Sequence, residues 1–69
     1  MVELVVQGKP VIRYDSAHGF AHVDRYNIAG HQRKERLNVN FNMALTLGER
    51  DIKQNWAVYR ERFLKGEYP

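Results

Sequence analysis

Tyr14-Asp15-Ser16-Ala17-His18-Gly19-Phe20-Ala21-His22-Val23-Asp24 carries the clearest structural signal in the chain. Apolar and polar residues alternate on both sides of Gly19, the period of a half-buried strand. Glycine tolerates the left-handed backbone of a tight turn, so Ser16 to Gly19 predicts a four-residue hairpin loop. That loop pairs Asp15 with Phe20, Tyr14 with Ala21, Arg13 with His22 and Ile12 with Val23. Strand residues alternate faces, so Ile12, Tyr14, Ala21 and Val23 form the core side. Arg13, Asp15, Phe20, His22 and Asp24 then share the other side. Two of the three histidines of the chain fall in this segment, with two aspartates beside them.

The pattern continues outward. Val2 to Gln7 reads as a strand, Gly8-Lys9-Pro10 as a turn and Val11 to Asp15 as the second strand. Phe20 to Asn27 is the third, Asn27 to Gln32 the next turn and Arg33 to Phe41 the fourth. Setting Val23 opposite Leu37 places Arg25 across from Glu35 and Asp24 across from Arg36, whereas a two-residue slip sets Arg25 against Arg33. Opposite charges across a pair help and like charges hurt, so the first register is expected. The C-terminal third predicts a helix. Thr46 and Glu49 fit a capping box, Gly66 a terminal cap, and Ile52, Trp56, Tyr59 and Phe63 an apolar stripe. Asn42 to Leu45 either lengthens that helix or forms a separate turn. The expected fold is α+β: a four-stranded antiparallel meander, then one C-terminal helix packed on one sheet face, with residues 1–69 as a single domain. Ile12, Tyr14, Val23, Leu37 and Val39 are expected to face the helix.

Composition narrows the function. The chain has 69 residues, 11 basic and 8 acidic, for a formal net charge of +3. A domain this short buries only about 60% of its unfolded surface, so association is an expected source of stability. It contains no cysteine, which excludes disulfides and thiolate metal sites. No apolar run approaches the roughly 20 residues of a membrane helix, and Met1-Val2-Glu3-Leu4 has no signal-peptide character. A cytoplasmic protein is expected, with no membrane contact.

The candidate chemistry gathers on the polar sheet face. His22 is the expected acid–base group, with Arg13, Asp24 and Arg36 as its catalytic companions. Metal-independent RNA cleavage needs a proton acceptor for the ribose hydroxyl and cations for the phosphate, and this set contains both. In the expected register His22 stands between Arg13 and Asn38. Phe20 and Tyr26 can stack bases, Lys34 and Asn38 can hold a ligand, and His18 borders the site from the loop. A polar strand face carrying the same residues with no chemistry is the competing reading, and exposed aromatics equally mark a dimer interface. His18 and His22 lie too far apart along a strand to share a metal. No metal site and no cofactor is expected. There is no glycine-rich phosphate loop and no nucleophilic serine motif.

Arg13-Tyr14-Asp15-Ser16-Ala17-His18-Gly19-Phe20-Ala21-His22, with Asn55-Trp56-Ala57-Val58-Tyr59-Arg60-Glu61-Arg62-Phe63, resembles a group of short uncharacterised prokaryotic proteins. They join a Tyr-Asp-x-x-His-Gly-x-x-His hairpin to a terminal aromatic helix. The hairpin is also similar to that of small toxins of toxin–antitoxin pairs, a resemblance that implies action on RNA. Two function classes follow. One is a self-associating protein-interaction module, in a homo-oligomer or with a protein partner, within a toxin–antitoxin-like system. The other is an RNA-binding or RNA-cleaving protein that uses the His22 face. Whether the chain is an enzyme stays open.

Overall fold

The computed structural model describes residues 1–17 and 19–69. Strands β1 (Val2–Val6), β2 (Lys9–Ala17), β3 (Phe20–Tyr26) and β4 (Gln32–Leu37) precede one helix, α1 (Phe41–Leu64). The strands form a single antiparallel sheet in the order β1-β2-β3-β4, and α1 packs on β2, β1 and, less, β3. The expected meander-plus-helix fold is the fold of the protein.

Each turn has its own chemistry. Gln7 and Gly8 both adopt positive φ, 53° and 76°, as a two-residue hairpin whose twist matches its strands requires. The first turn is therefore Gln7-Gly8 rather than Gly8-Lys9-Pro10, and Pro10 stands inside β2. There it precedes Ile12, the first residue of β2 with a partner on β3, so its missing N–H costs no bond on that side. At the third turn Asn27 N–H donates to the His31 carbonyl at 3.2 Å, while its side chain accepts from His31 N–H at 3.1 Å.

The register differs from the expected one by two residues at both inner pairings. Ala17 pairs with Phe20, Asp15 with His22, Tyr14 with Val23 and Ile12 with Arg25. Only two residues separate the closing pair Ala17–Phe20, so the four-residue loop does not form. Between β3 and β4, Ala21 pairs with Leu37, Val23 with Glu35, Asp24 with Lys34 and Arg25 with Arg33. The like-charged Arg25–Arg33 pair is tolerated because Arg25 finds acceptors off the pairing axis. Its Nε lies 3.1 Å from Glu35 Oε1 and its Nη1 donates to the Pro69 carbonyl at 2.8 Å. A slip of two preserves the side-chain alternation, so the division into faces survives the wrong register.

One irregularity enlarges the core. Leu4 pairs with Ile12 but Val5 with Pro10, leaving Val11 as the extra residue of a β-bulge. Val11 and Ile12 are both wholly buried. Val11 joins Val6 and Phe63, while Ile12 joins Tyr14 and Val23, with Ile52 and Tyr59 packed against them.

The helix begins five residues before the expected cap. Asn40 is the N-cap: its side chain accepts from Met43 N–H at 2.8 Å. β4 consequently stops at Leu37, and Val39 is exposed in the connection instead of facing the helix. Thr46 lies within α1, its hydroxyl donating back to the Asn42 carbonyl at 3.1 Å. The end is the expected one. Gly66, at φ 82°, bonds to Phe63 and Glu67 N–H bonds to Arg62, the two bonds of a Schellman cap.

The inward stripe of α1 is Ala44, Gly48, Asp51, Ile52, Asn55, Tyr59 and Phe63. Trp56, expected in the core, is 53% exposed at the border of this stripe. The starting point at Asn40 brings small residues inward, and Gly48 meets Tyr14 so closely that a Cβ there would stand 2.6 Å from Tyr14 Cγ. Asp51 accepts from Tyr14 Oη at 2.5 Å, Tyr59 Oη at 2.6 Å and Asn55 Nδ2 at 2.8 Å. Burial pushes the Asp51 carboxyl up, but the three hydrogen bonds outweigh it and hold the group below its ordinary value of 3.8. Burial and the bond to Asp51 push both tyrosine hydroxyls up.

Three outcomes follow for stability. Phe63→Ala will cost about 3–5 kcal/mol and Trp56→Ala less than about 2, measured by urea unfolding, since only the first empties a buried site. Gly48→Ala will lower the melting temperature although alanine favours helix by about 1 kcal/mol, because overpacking against Tyr14 costs about 1–3. A folded-state pKa below the unfolded one stabilises above the unfolded pKa and is lost as pH falls through the folded value. Asp51→Asn will thus be less stable than the parent at neutral pH. It will also lose less of its remaining stability on acidification below about pH 4.

Candidate functional site

Alternation along β2, β3 and β4 sends Ile12, Tyr14 and Val23 to the helix and turns Arg13, Asp15, Phe20, His22, Asp24, Lys34 and Arg36 to the opposite face. This is the face on which sequence placed the candidate chemistry. Its neighbours are different ones. His22 is flanked by Asp15 and Arg36, not by Arg13 and Asn38, and Asp24 by Arg13 and Lys34, not by Arg36. The two-residue slip moves every cross-strand partner and keeps every face.

His22 and Asp24 are neighbours on this face of β3. His22 Nε2 lies 3.3 Å from Asp24 Oδ2, and the two side chains are only 4% and 7% exposed. Burial this deep is unusual for ionisable side chains on a sheet face without a covering element. Phe20 contributes to it: its ring meets His22 edge to face, with centroids 5.9 Å apart. The Arg36 guanidinium lies 4.9 Å from the Phe20 centroid, within cation–π range. A stack of cation, aromatic ring and imidazole therefore runs from β4 onto β3. His22 Nδ1 and Asp24 Oδ1 are buried and have no hydrogen-bond partner among the described residues.

Arg13 is tied back to β1, its Nε donating to Glu3 Oε2 at 3.0 Å, a bond that raises its pKa. Glu3 is thus a member of the site that sequence reading missed. Its position two residues into β1 was legible, but its pairing with Arg13 needed the β1–β2 register. Tyr26 is half-buried against Val6, Val11 and Phe63, and burial raises its hydroxyl above the ordinary 10.0. Lys34 and Arg36 are exposed on β4.

Asn38 lies beyond β4, away from His22. With Ser16, Phe20, Arg36, Asn40 and Phe41 it lines an open groove of about 520 Å³ where the ends of β2 and β4, the start of β3 and the start of α1 meet. His18 is outside the described residues. Among the described residues no group of three histidine, aspartate or glutamate side chains is placed to hold a metal ion. No helix of the described residues is long and apolar enough to cross a membrane.

The arrangement offers a proton-accepting imidazole next to a carboxylate, three cations and an aromatic ring on one surface. Acidic and basic groups alternate across the strands, while along β4 Lys34 and Arg36 form a short basic strip. A search of curated proteins and one of solved structures returned no match. A family model matches the whole of residues 1–69, and the chain belongs to that family, described as Domain of unknown function (DUF7718).

Proposed function

We propose that the domain is a self-associating protein-interaction module whose helix-free sheet face is the contact surface. One observation carries this reading. His22 and Asp24 are buried on that face, and each keeps a polar atom unpartnered among the described residues. A buried unsatisfied group costs about 1–3 kcal/mol, a large share of the stability of so short a chain. Both atoms are closed to solvent within the domain, so a second protein surface acts on this pair by covering Phe20, Arg13 and Arg36 around it rather than by bonding to it. The fixed charges support a protein over a polyanion: Glu3, Asp15 and Asp24 balance Arg13, Lys34 and Arg36. A role in a toxin–antitoxin-like system rests on the resemblance of the hairpin. A cytoplasmic setting, expected from the cysteine-free sequence, belongs to the same proposal.

The Phe20–Arg36 stack beside the groove favours a second reading, RNA binding or cleavage. There Phe20 and Tyr26 stack bases, while Arg13, Lys34 and Arg36 hold phosphates and His22 with Asp24 moves the proton. Sedimentation across the micromolar range separates the two. Concentration-dependent dimerisation supports the module. A monomer at every concentration overturns it, and single-stranded RNA binding that weakens steeply with salt then establishes the second reading.

A further inference from the structure

One row of side chains crosses the helix-free face from edge to edge. Glu3 pairs with Arg13, Arg13 with Asp24 and Asp24 with Lys34. From β1 to β4 the formal charges run minus, plus, minus, plus. Such a row is complementary to its own reversal. We propose that the domain forms a face-to-face two-fold dimer whose axis runs parallel to the strands. That rotation lays β1 of one copy over β4 of the other and β2 over β3. Glu3 then lies over Lys34 of the second copy and Arg13 over Asp24, and the symmetry repeats both contacts.

The charges select this geometry over the alternatives. A two-fold axis across the strands lays β1 over β1, setting like charges on each other. Edge-to-edge pairing of two β4 strands brings Arg33, Lys34 and Arg36 against the same residues, an arrangement that charged edge strands resist. The chosen axis gives aligned sheets, an ordinary packing of two antiparallel sheets about 10 Å apart. Four strands roughly 5 Å apart and six residues long make a face of about 20 × 20 Å. That is about 400 Å² in plan, and with the relief of the side chains and the rim it approaches the lower range of a standard interface, about 600 Å² per partner. Asp24 lies beneath the surface of this row, so across the interface its charge attracts Arg13 of a second copy without a direct bond. The partly exposed Glu3 and the exposed Lys34, at the ends of the row, make the contacts. Arg13 spends Nε on Glu3 and keeps the terminal nitrogens of its guanidinium fork. Phe20 stands at one end of the β3 face, outside the charged row.

This geometry rests on the self-association proposed above, and a charge-swap experiment tests the two separately. Glu3 and Lys34 lie at the two ends of the row, the first partly and the second fully exposed. Glu3→Lys and Lys34→Glu each create two like-charge contacts in their own homodimer. Each is expected to dimerise at least about tenfold more weakly than the parent in sedimentation equilibrium. Mixing the two variants creates opposite-charge contacts at both sites, and the heterodimer is expected to regain parental affinity. The double variant Glu3→Lys with Lys34→Glu should regain it as a homodimer, and circular dichroism reports whether each variant is folded. If a single variant does not fold, the salt dependence of the parent decides. Its dimerisation should weaken between about 0.05 and 0.5 M salt, and an unchanged affinity overturns the charged row. Folded variants that dimerise like the parent, or that stay monomeric when mixed, overturn this geometry and leave self-association standing through another surface, for which Val39, Phe41, Met43 and Leu47 are exposed. A parent that is monomeric throughout overturns self-association itself.

Discussion

The contact of Tyr14 with Gly48 and Asp51 sets how α1 lies against the sheet, and the packing around it follows. The tyrosine lies where a Cβ at position 48 would be, so the helix backbone approaches β2 more closely than any other residue there would allow. The hydroxyl then reaches Asp51 one turn further along, and Tyr59 reaches the same carboxylate from a later turn. Glycine inside a helix costs about 1 kcal/mol of propensity, and asparagine and aspartate on an inward stripe cost desolvation. The aspartate is retained inward because three donors satisfy it. Together these contacts fix both how near α1 stands to the sheet and how it is rotated about its own axis.

That rotation explains the exposure of Trp56. An apolar stripe read as Ile52, Trp56, Tyr59 and Phe63 is geometrically sound, but it assumes that the largest residues point inward. With Gly48 and Asp51 inward, the stripe turns and Trp56 falls at its border. The missing volume is made up elsewhere. The bulge at Val11 adds a second inward residue to β2, and Phe63 fills the space it shares with Val6. Placing the helix over β1 and β2 confines the apolar core to one side of the sheet. The polar residues on the other side depend on one another for cover, as Phe20 and Arg36 show beside His22.

How much was legible depended on range. The division of strand residues into two faces needed only alternation, and it survived a register wrong by two because two is the period of a strand. The membership of Arg13, Phe20, His22, Asp24, Lys34 and Arg36 in the polar face was therefore readable, whereas the packing of Tyr26 against Val6, Val11 and Phe63 was not. Their neighbours were not. The charge match of Arg25 with Glu35 pointed to direct pairing, yet the two meet diagonally while Arg25 stands opposite Arg33. Pairwise charge logic along one strand pair cannot register that Pro69, far along the chain, offers Arg25 another acceptor. Asn40 as a cap was hidden for a related reason. Thr46 with Glu49 is a stronger local signal, and only the length of β4 decides which cap is used.

Four strands, one helix, their order and, outside the bulge at Val11, the division of the strand residues between the two sheet faces are readable along the chain. These follow from hydrophobic period and turn chemistry, which are local. Tertiary structure decided the register, the rotation of α1 and the burial of His22 with Asp24. His22 is covered by Phe20, two residues away on its own strand, and through that ring by Arg36 of β4. The register and the rotation of α1 are instead set by packing between segments distant in sequence, Tyr14 against Gly48 and Pro69 against Arg25. Such contacts carry no period, so no pattern along the chain announces them.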